Sequence, residues 1–156
     1  MLAEELIHRG RYGEAEALYE SALTPPHEHD PALLVGIAQA QFLAGHATAA
    51  LASLDKIQAH NPGYQSHPAH LLYARALAAA GRSDEALAEY AALVPVFPGE
   101  EARCRYALLL QQKGEVPRAR DIFSTVRRSV EKGSRHYRAE QKEWYEMARH
   151  NLGEGS

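Results

Sequence analysis

Four glycines set a period in this chain. Gly10, Gly45, Gly81 and Gly114 are separated by 35, 36 and 33 residues, and an alanine follows each one five residues later: Ala15, Ala50, Ala86 and Ala119. Four residues beyond each alanine stands a large side chain, in order Tyr19, Leu54, Tyr90 and Phe123. Three further on comes Ala22, Ile57, Leu93 or Val126. A period close to ~34 residues that keeps small and large side chains in phase marks a helix-turn-helix unit stacked on copies of itself. The unit is most complete over residues 67–98. There Tyr73, Ala74, Leu77 and Ala80 form one apolar stripe at helical spacing, Gly81 breaks the helix, and Ala86, Leu87, Tyr90, Leu93 and Val94 form a second stripe. Pro26, Pro62 and Pro98 close three of the units.

These signals predict one all-α domain over residues 1–152, with repeats at about 1–29, 30–65, 66–98 and 99–132, a capping helix over 134–152 and a tail over 153–156. Asp30 followed by Pro31 reads as an N-cap with proline in the first helical position, and Ser83 as the cap of the second helix in the third hairpin. The last helix carries Tyr137, Gln141, Trp144 and Ala148 on one face and charge elsewhere. A terminal cap needs that distribution, because the last repeat would otherwise expose its apolar side.

The in-phase small and large positions resemble the tetratricopeptide repeat over residues 1 to about 131. Two departures stand out. The tryptophan usual early in the first helix is replaced by Leu34, His70 and Arg103, and the fourth repeat runs on through Val130 without a closing proline. The resemblance implies a right-handed superhelical solenoid in which the first helices of successive hairpins line a concave groove. The matching positions are Val35, Gln39, Phe42, Leu71, Arg75, Ala78, Cys104, Leu108 and Gln111, with Arg105 beside them, giving a largely apolar floor with one cation. The family's clamp for a terminal carboxylate needs basic and asparagine residues where this chain has Val35, Gly36, Leu71 and Leu72, so that clamp is not expected. Phe42 and Leu71 fit two roles, groove contact or packing between helices.

Within the family, the stretches HDPALLVGIAQAQF, HLLYARAL, ARCRYALLLQQKG and RHYRAEQKEWYEMAR resemble a small bacterial group. In that group such repeats follow a short hydrophobic N-terminal membrane domain, similar to the membrane-embedded N-terminal segment of some phospholipase-D-like proteins. Met1 falls inside the first repeat, where a full first turn should be. The expectation is therefore a soluble, cytoplasmic fragment whose full-length form carries an upstream anchor in the inner membrane.

Composition removes several functions. A net charge of −3 gives no global attraction to nucleic acid, and no apolar run approaches the ~18 residues that span a bilayer. Cys104 is the sole cysteine and cannot form an intrachain disulfide. His27, Glu28, His29 and Asp30, with His67 and His70, are metal-ligand types in loops, but no paired motif supports a site and Asp30 is already explained as a cap. Glu4–Glu5, Glu14–Glu16 and Glu100–Glu101 fall at helix starts or on solvent faces, where the helix dipole favours acids. Neither a phosphate-cradling glycine loop nor a nucleophile elbow is present in the sequence. What remains is a non-catalytic scaffold that needs no cofactor and binds a protein or peptide in its groove. Self-assembly is the principal alternative, and metal binding through the histidine loops the weaker one.

Overall fold

A computed structural model describes residues 2–154. Met1, on which the truncated first repeat was read, and residues 155–156 of the expected tail lie outside the described residues. Among the described residues the first eight of ten helices follow one another in hairpins: α1 (Leu2–His8) and α2 (Tyr12–Ala22), α3 (Pro31–Leu43) and α4 (Ala47–His60), α5 (His67–Ala79) and α6 (Ser83–Leu93), and α7 (Glu101–Gln112) and α8 (Val116–Lys132). After these come α9 (Arg135–Glu140) and α10 (Lys142–Asn151). The fold is all-α and of the tetratricopeptide type.

The glycine period has a backbone cause. Gly10, Gly45, Gly81 and Gly114 adopt φ of 74°, 89°, 81° and 88°, a left-handed conformation that costs a side-chain-bearing residue roughly 1–2 kcal/mol. The next residue then reaches back five positions: Arg11 N–H to the Leu6 carbonyl, His46 to Gln41, Arg82 to Leu77 and Glu115 to Leu110, at 2.8–2.9 Å. This backbone bond caps a carbonyl in the last turn of each first helix and reverses the chain. Gly153, at φ 82°, ends α10 in the same way through Glu154 N–H to the Arg149 carbonyl at 2.8 Å. In three hairpins an i,i+3 side-chain pair lies at the start of the second helix. Arg11 pairs with Glu14 and Arg82 with Glu85, and the fourth turn carries the reversed polarity, Arg118 facing Glu115 at 3.7 Å.

The alanines of the period are buried at 0–1% exposure in all four hairpins, as the close approach of paired helices requires. Tyr19, Leu54, Tyr90 and Phe123 are buried with them, and so are Ile57, Leu93 and Val126. Ala22, their counterpart in the first hairpin, is exposed because α2 ends on it. Asp30 caps α3, accepting the N–H groups of Ala32 at 2.9 Å and Leu33 at 3.4 Å. Ser83 is not the cap expected of it; it is the first helical residue, and Arg82 precedes it.

The chain divides into two compact units, 2–86 and 87–154, with the boundary inside α6. In the first unit α1 packs on α2, α2 on α3, α3 on α4 and α4 on α5, and α5 also touches α3. Ala3, Tyr19 and Ile37 form a buried cluster joined by Ile7, Leu18, Leu23 and Leu33. Gly36 lies beneath the Tyr19 ring so closely that a Cβ there would fall 2.6 Å from it. A polar relay crosses the same layers. The Gln41 amide donates to Glu16 at 2.9 Å and accepts from buried Ser53 at 2.7 Å, so the Ser53 hydroxyl is satisfied.

In the second unit α7 packs on α8, and α10 lies on α8 while touching α7. That relation matches the one α5 has to α4 and α3, so α10 sits like the first helix of a further hairpin. Its exposed residues are Lys142, Glu143, Glu146, Arg149 and His150, the polar outer face expected of a cap. The cap is not the single helix expected over 134–152. Gln141 leaves helical geometry at φ −97°, ψ 12°, and its side-chain oxygen accepts the Glu100 N–H at 2.9 Å. Of the expected tail over 153–156, residues 153 and 154 are described: besides the Gly153 turn, the Glu154 carboxylate pairs with Arg127 of α8.

Candidate interaction site

On α3, Val35, Gln39 and Phe42 recur at helical spacing and therefore share a face, and Leu71, Arg75 and Ala78 do the same on α5. The contact of α5 with α3 brings these two faces together. The Arg75 guanidinium carbon lies 4.8 Å from the centre of the Phe42 ring, within cation–π range. Phe42, Arg75, Val35 and Ala78 are half-buried and Gln39 is exposed, so each of these offers surface. Leu71 is 5% exposed and belongs to the packing of the helices. Of the two roles open to Phe42 and Leu71, Phe42 retains the surface one and Leu71 does not.

The corresponding residues of the second unit behave differently. Leu108 is half-buried and Gln111 exposed, but Cys104 is fully buried and its thiol donates to the Trp144 carbonyl at 3.5 Å. Burial, and secondly the negative charge of Glu100, push the Cys104 thiol up to about 12, far from the range of a reactive thiolate. Arg105 is held in place from two sides. Its Nε donates to Glu101 at 2.8 Å, and its guanidinium lies over the Trp144 ring at 5.2 Å. Sequence reasoning put Trp144 on the inner face of the cap but did not find its stacking with Arg105. The Glu101–Arg105 spacing of four residues signalled only the ion pair, and nothing local signalled Trp144.

Among the described residues one carboxylate is wholly buried. Glu100, at the start of α7, accepts from Tyr137 Oη and from Ser129 Oγ at 3.0 Å, and pairs with Arg103 at 2.8 Å. Burial first, then the hydrogen bond to Glu100 and its charge, push the Tyr137 phenol up to about 12. The carboxylate is occupied in fastening α8 and α9 to α7.

His29 and His60 stack with ring centres 3.8 Å apart and planes within 6°. The nitrogen lone pairs of stacked imidazoles lie in two parallel planes and cannot converge on one ion between the rings. Among the described residues no group of three or more His, Cys, Asp or Glu is placed to hold a metal, and no helix is long and apolar enough to cross a membrane.

Comparison with known proteins agrees with the repeat reading. A family model of the tetratricopeptide repeat matches residues 6–67 and 44–108. No curated protein matches the chain. Among solved structures, a crystal structure of MamA superposes with a TM-score of 0.64 at 15% identity, covering 98% of this chain and 95% of that one. A second MamA crystal structure gives 0.62 at 15% identity, covering 97% and 88%. At this identity the likeness is one of fold.

Proposed function

Because the chain belongs to the tetratricopeptide-repeat family, whose domains are protein-interaction scaffolds, we propose that it is a non-catalytic adaptor. In this reading the face of α3 and α5 receives a peptide or helix from a protein partner. The observation that carries it is the Phe42–Arg75 pair: an aromatic ring and a guanidinium, both half-buried, held against each other on two successive first helices. A ring in a partly desolvated setting is the kind of anchor that dominates binding energy, and a stacked guanidinium directs its N–H donors in its own plane, toward a carboxylate or carbonyl. Val35 and Ala78 extend the apolar surface beside them and Gln39 adds an exposed amide.

The test is selection of a displayed random peptide library on the wild-type chain, followed by affinity measurement on the double variant Phe42→Glu, Arg75→Glu. Loss of an anchor and its charged neighbour should weaken the selected peptides by ~30-fold or more, since hot-spot truncations cost ~2 kcal/mol or more. Circular dichroism checks that the variant retains its helices. Unchanged affinity in a folded variant would remove this face as the binding site.

A further inference from the structure

The net charge of −3 conceals a strong local imbalance. Residues 116–142 hold eight Lys or Arg against three Asp or Glu, an excess of five positive charges over α8, α9 and the start of α10. At the C-terminal end of this segment is a cleft of about 370 Å³, lined by Val130, Glu131, Arg138, Lys142 and Tyr145. Val130 is buried and gives the cleft an apolar floor, the half-buried Tyr145 ring forms a wall, and the exposed side chains of Arg138 and Lys142 bring two cations to the mouth.

Glu131 is the one acid of the lining, and its charge is already engaged. Tyr145 Oη donates to its carboxylate at 3.0 Å, and Arg127, whose closer partner is Glu154, stands 4.0 Å away on the preceding turn of α8. Arg138 also donates to the Glu131 backbone carbonyl at 2.5 Å, which closes the last turn of α8 and fixes the guanidinium beside the cleft. Arg138 on α9 and Lys142 at the start of α10, four residues apart in sequence, border the same hollow.

We propose that this cleft is a second docking site, separate from the face of α3 and α5, and that its occupant is an acidic peptide segment of a protein partner. An apolar side chain of the segment fills the hollow over Val130 and Tyr145, while flanking carboxylates meet Arg138 and Lys142. Charge complementarity selects the acid, because Arg138 and Lys142 border the cleft while its one carboxylate is already engaged, and the apolar floor selects a peptide over a bare polyanion. Nucleic acid would answer the charge but leave the floor unfilled.

The experiment uses the full chain and a fluorescent peptide in which Asp or Glu alternates with Leu, read by anisotropy at low salt. A peptide of the same charge with Gly in place of Leu, and a DNA oligonucleotide, serve as comparisons. The alternating peptide should bind several-fold more tightly than either, and weaken as salt screens the pairs. Arg138→Glu with Lys142→Glu should cut its affinity by about tenfold or more. Lys142→Glu alone leaves the α8 cap in place and should still weaken binding measurably, whereas Lys56→Glu on α4 makes the same change of net charge and should have no effect. Phe42→Glu with Arg75→Glu should also leave this peptide bound, so the two sites fail or succeed independently. Unchanged binding to the folded Lys142→Glu variant, an equal loss with Lys56→Glu, or DNA binding as tight as that of the alternating peptide would each overturn the proposal.

Discussion

The Arg75 guanidinium lies over the Phe42 ring at 4.8 Å and joins α5 to α3 across the exposed side of the first unit. A cation stacked at a half-exposed position is worth about 0.5–1 kcal/mol beyond the packing of its aliphatic stem. A double-mutant cycle of Phe42→Leu and Arg75→Gln, read by urea denaturation, should therefore return a coupling of about that size. A coupling indistinguishable from zero would mean that the two side chains act separately, and that the face is not preorganised by their contact.

Gly36 presents the opposite problem, a place where even one methyl group is too much. Replacing a helical glycine by alanine ordinarily stabilises by up to about 1 kcal/mol, yet here the new Cβ would fall 2.6 Å from the Tyr19 ring. Tyr19 is 6% exposed and packed in the cluster with Ala3 and Ile37, so the ring cannot swing away freely. Overpacking of this kind costs roughly 1–3 kcal/mol. Gly36→Ala should lower the melting temperature, and Gly36→Ala combined with Tyr19→Leu should recover part of the loss.

Glu100 is the most exacting polar position of the second unit. Glu100→Ala would take the acceptor away from Tyr137 Oη and Ser129 Oγ, at about 1–3 kcal/mol for each group left unsatisfied, while the partly exposed Arg103 can turn to solvent. Glu100→Gln keeps one oxygen to accept from Tyr137 and Ser129 and replaces the other by an NH2 group, so it should cost clearly less. Chemical denaturation of both variants checks the order; equal losses would mean that the space filled by the side chain matters more than its hydrogen bonds.

The sequence was most legible where one residue type alone satisfies the backbone. Gly10, Gly45, Gly81 and Gly114 are needed because the turn demands positive φ, and Ala15, Ala50, Ala86 and Ala119 because paired helices leave no room there. Tertiary causes were hidden. Gln141 interrupts the cap because its side chain serves the Glu100 N–H, 41 residues earlier in the chain, and no local pattern encodes that partner. Helical spacing identified the faces bearing Leu71 and Cys104, but spacing gives only direction, and how far neighbouring helices cover a face depends on packing. The basic cleft escaped for a different reason: acids elsewhere cancel its charge in the chain total.

The final prediction concerns alkaline pH. Cys104 and Tyr137 are both held neutral in the fold, each by burial first and by Glu100 second, and both are pushed up to about 12 from ordinary values of 9.0 and 10.0. Below about pH 9 the folded and unfolded chains both keep these protons, and the two groups leave stability unaffected by pH. Between about 9 and about 12 the unfolded chain releases protons that the folded chain retains, so stability falls as the pH rises; past about 12 the folded groups ionise too and the loss is complete. Urea midpoints should therefore drop between about pH 8 and about pH 11 in the wild type, and drop less in Cys104→Ala and in Tyr137→Phe, each of which removes one titrating group. The thiol should also resist aromatic disulfide reagents at neutral pH until urea unfolds the chain. Equal pH dependence in all three proteins would show that neither group is shielded as the fold implies, and a rapidly reacting native thiol would show the same for Cys104 alone.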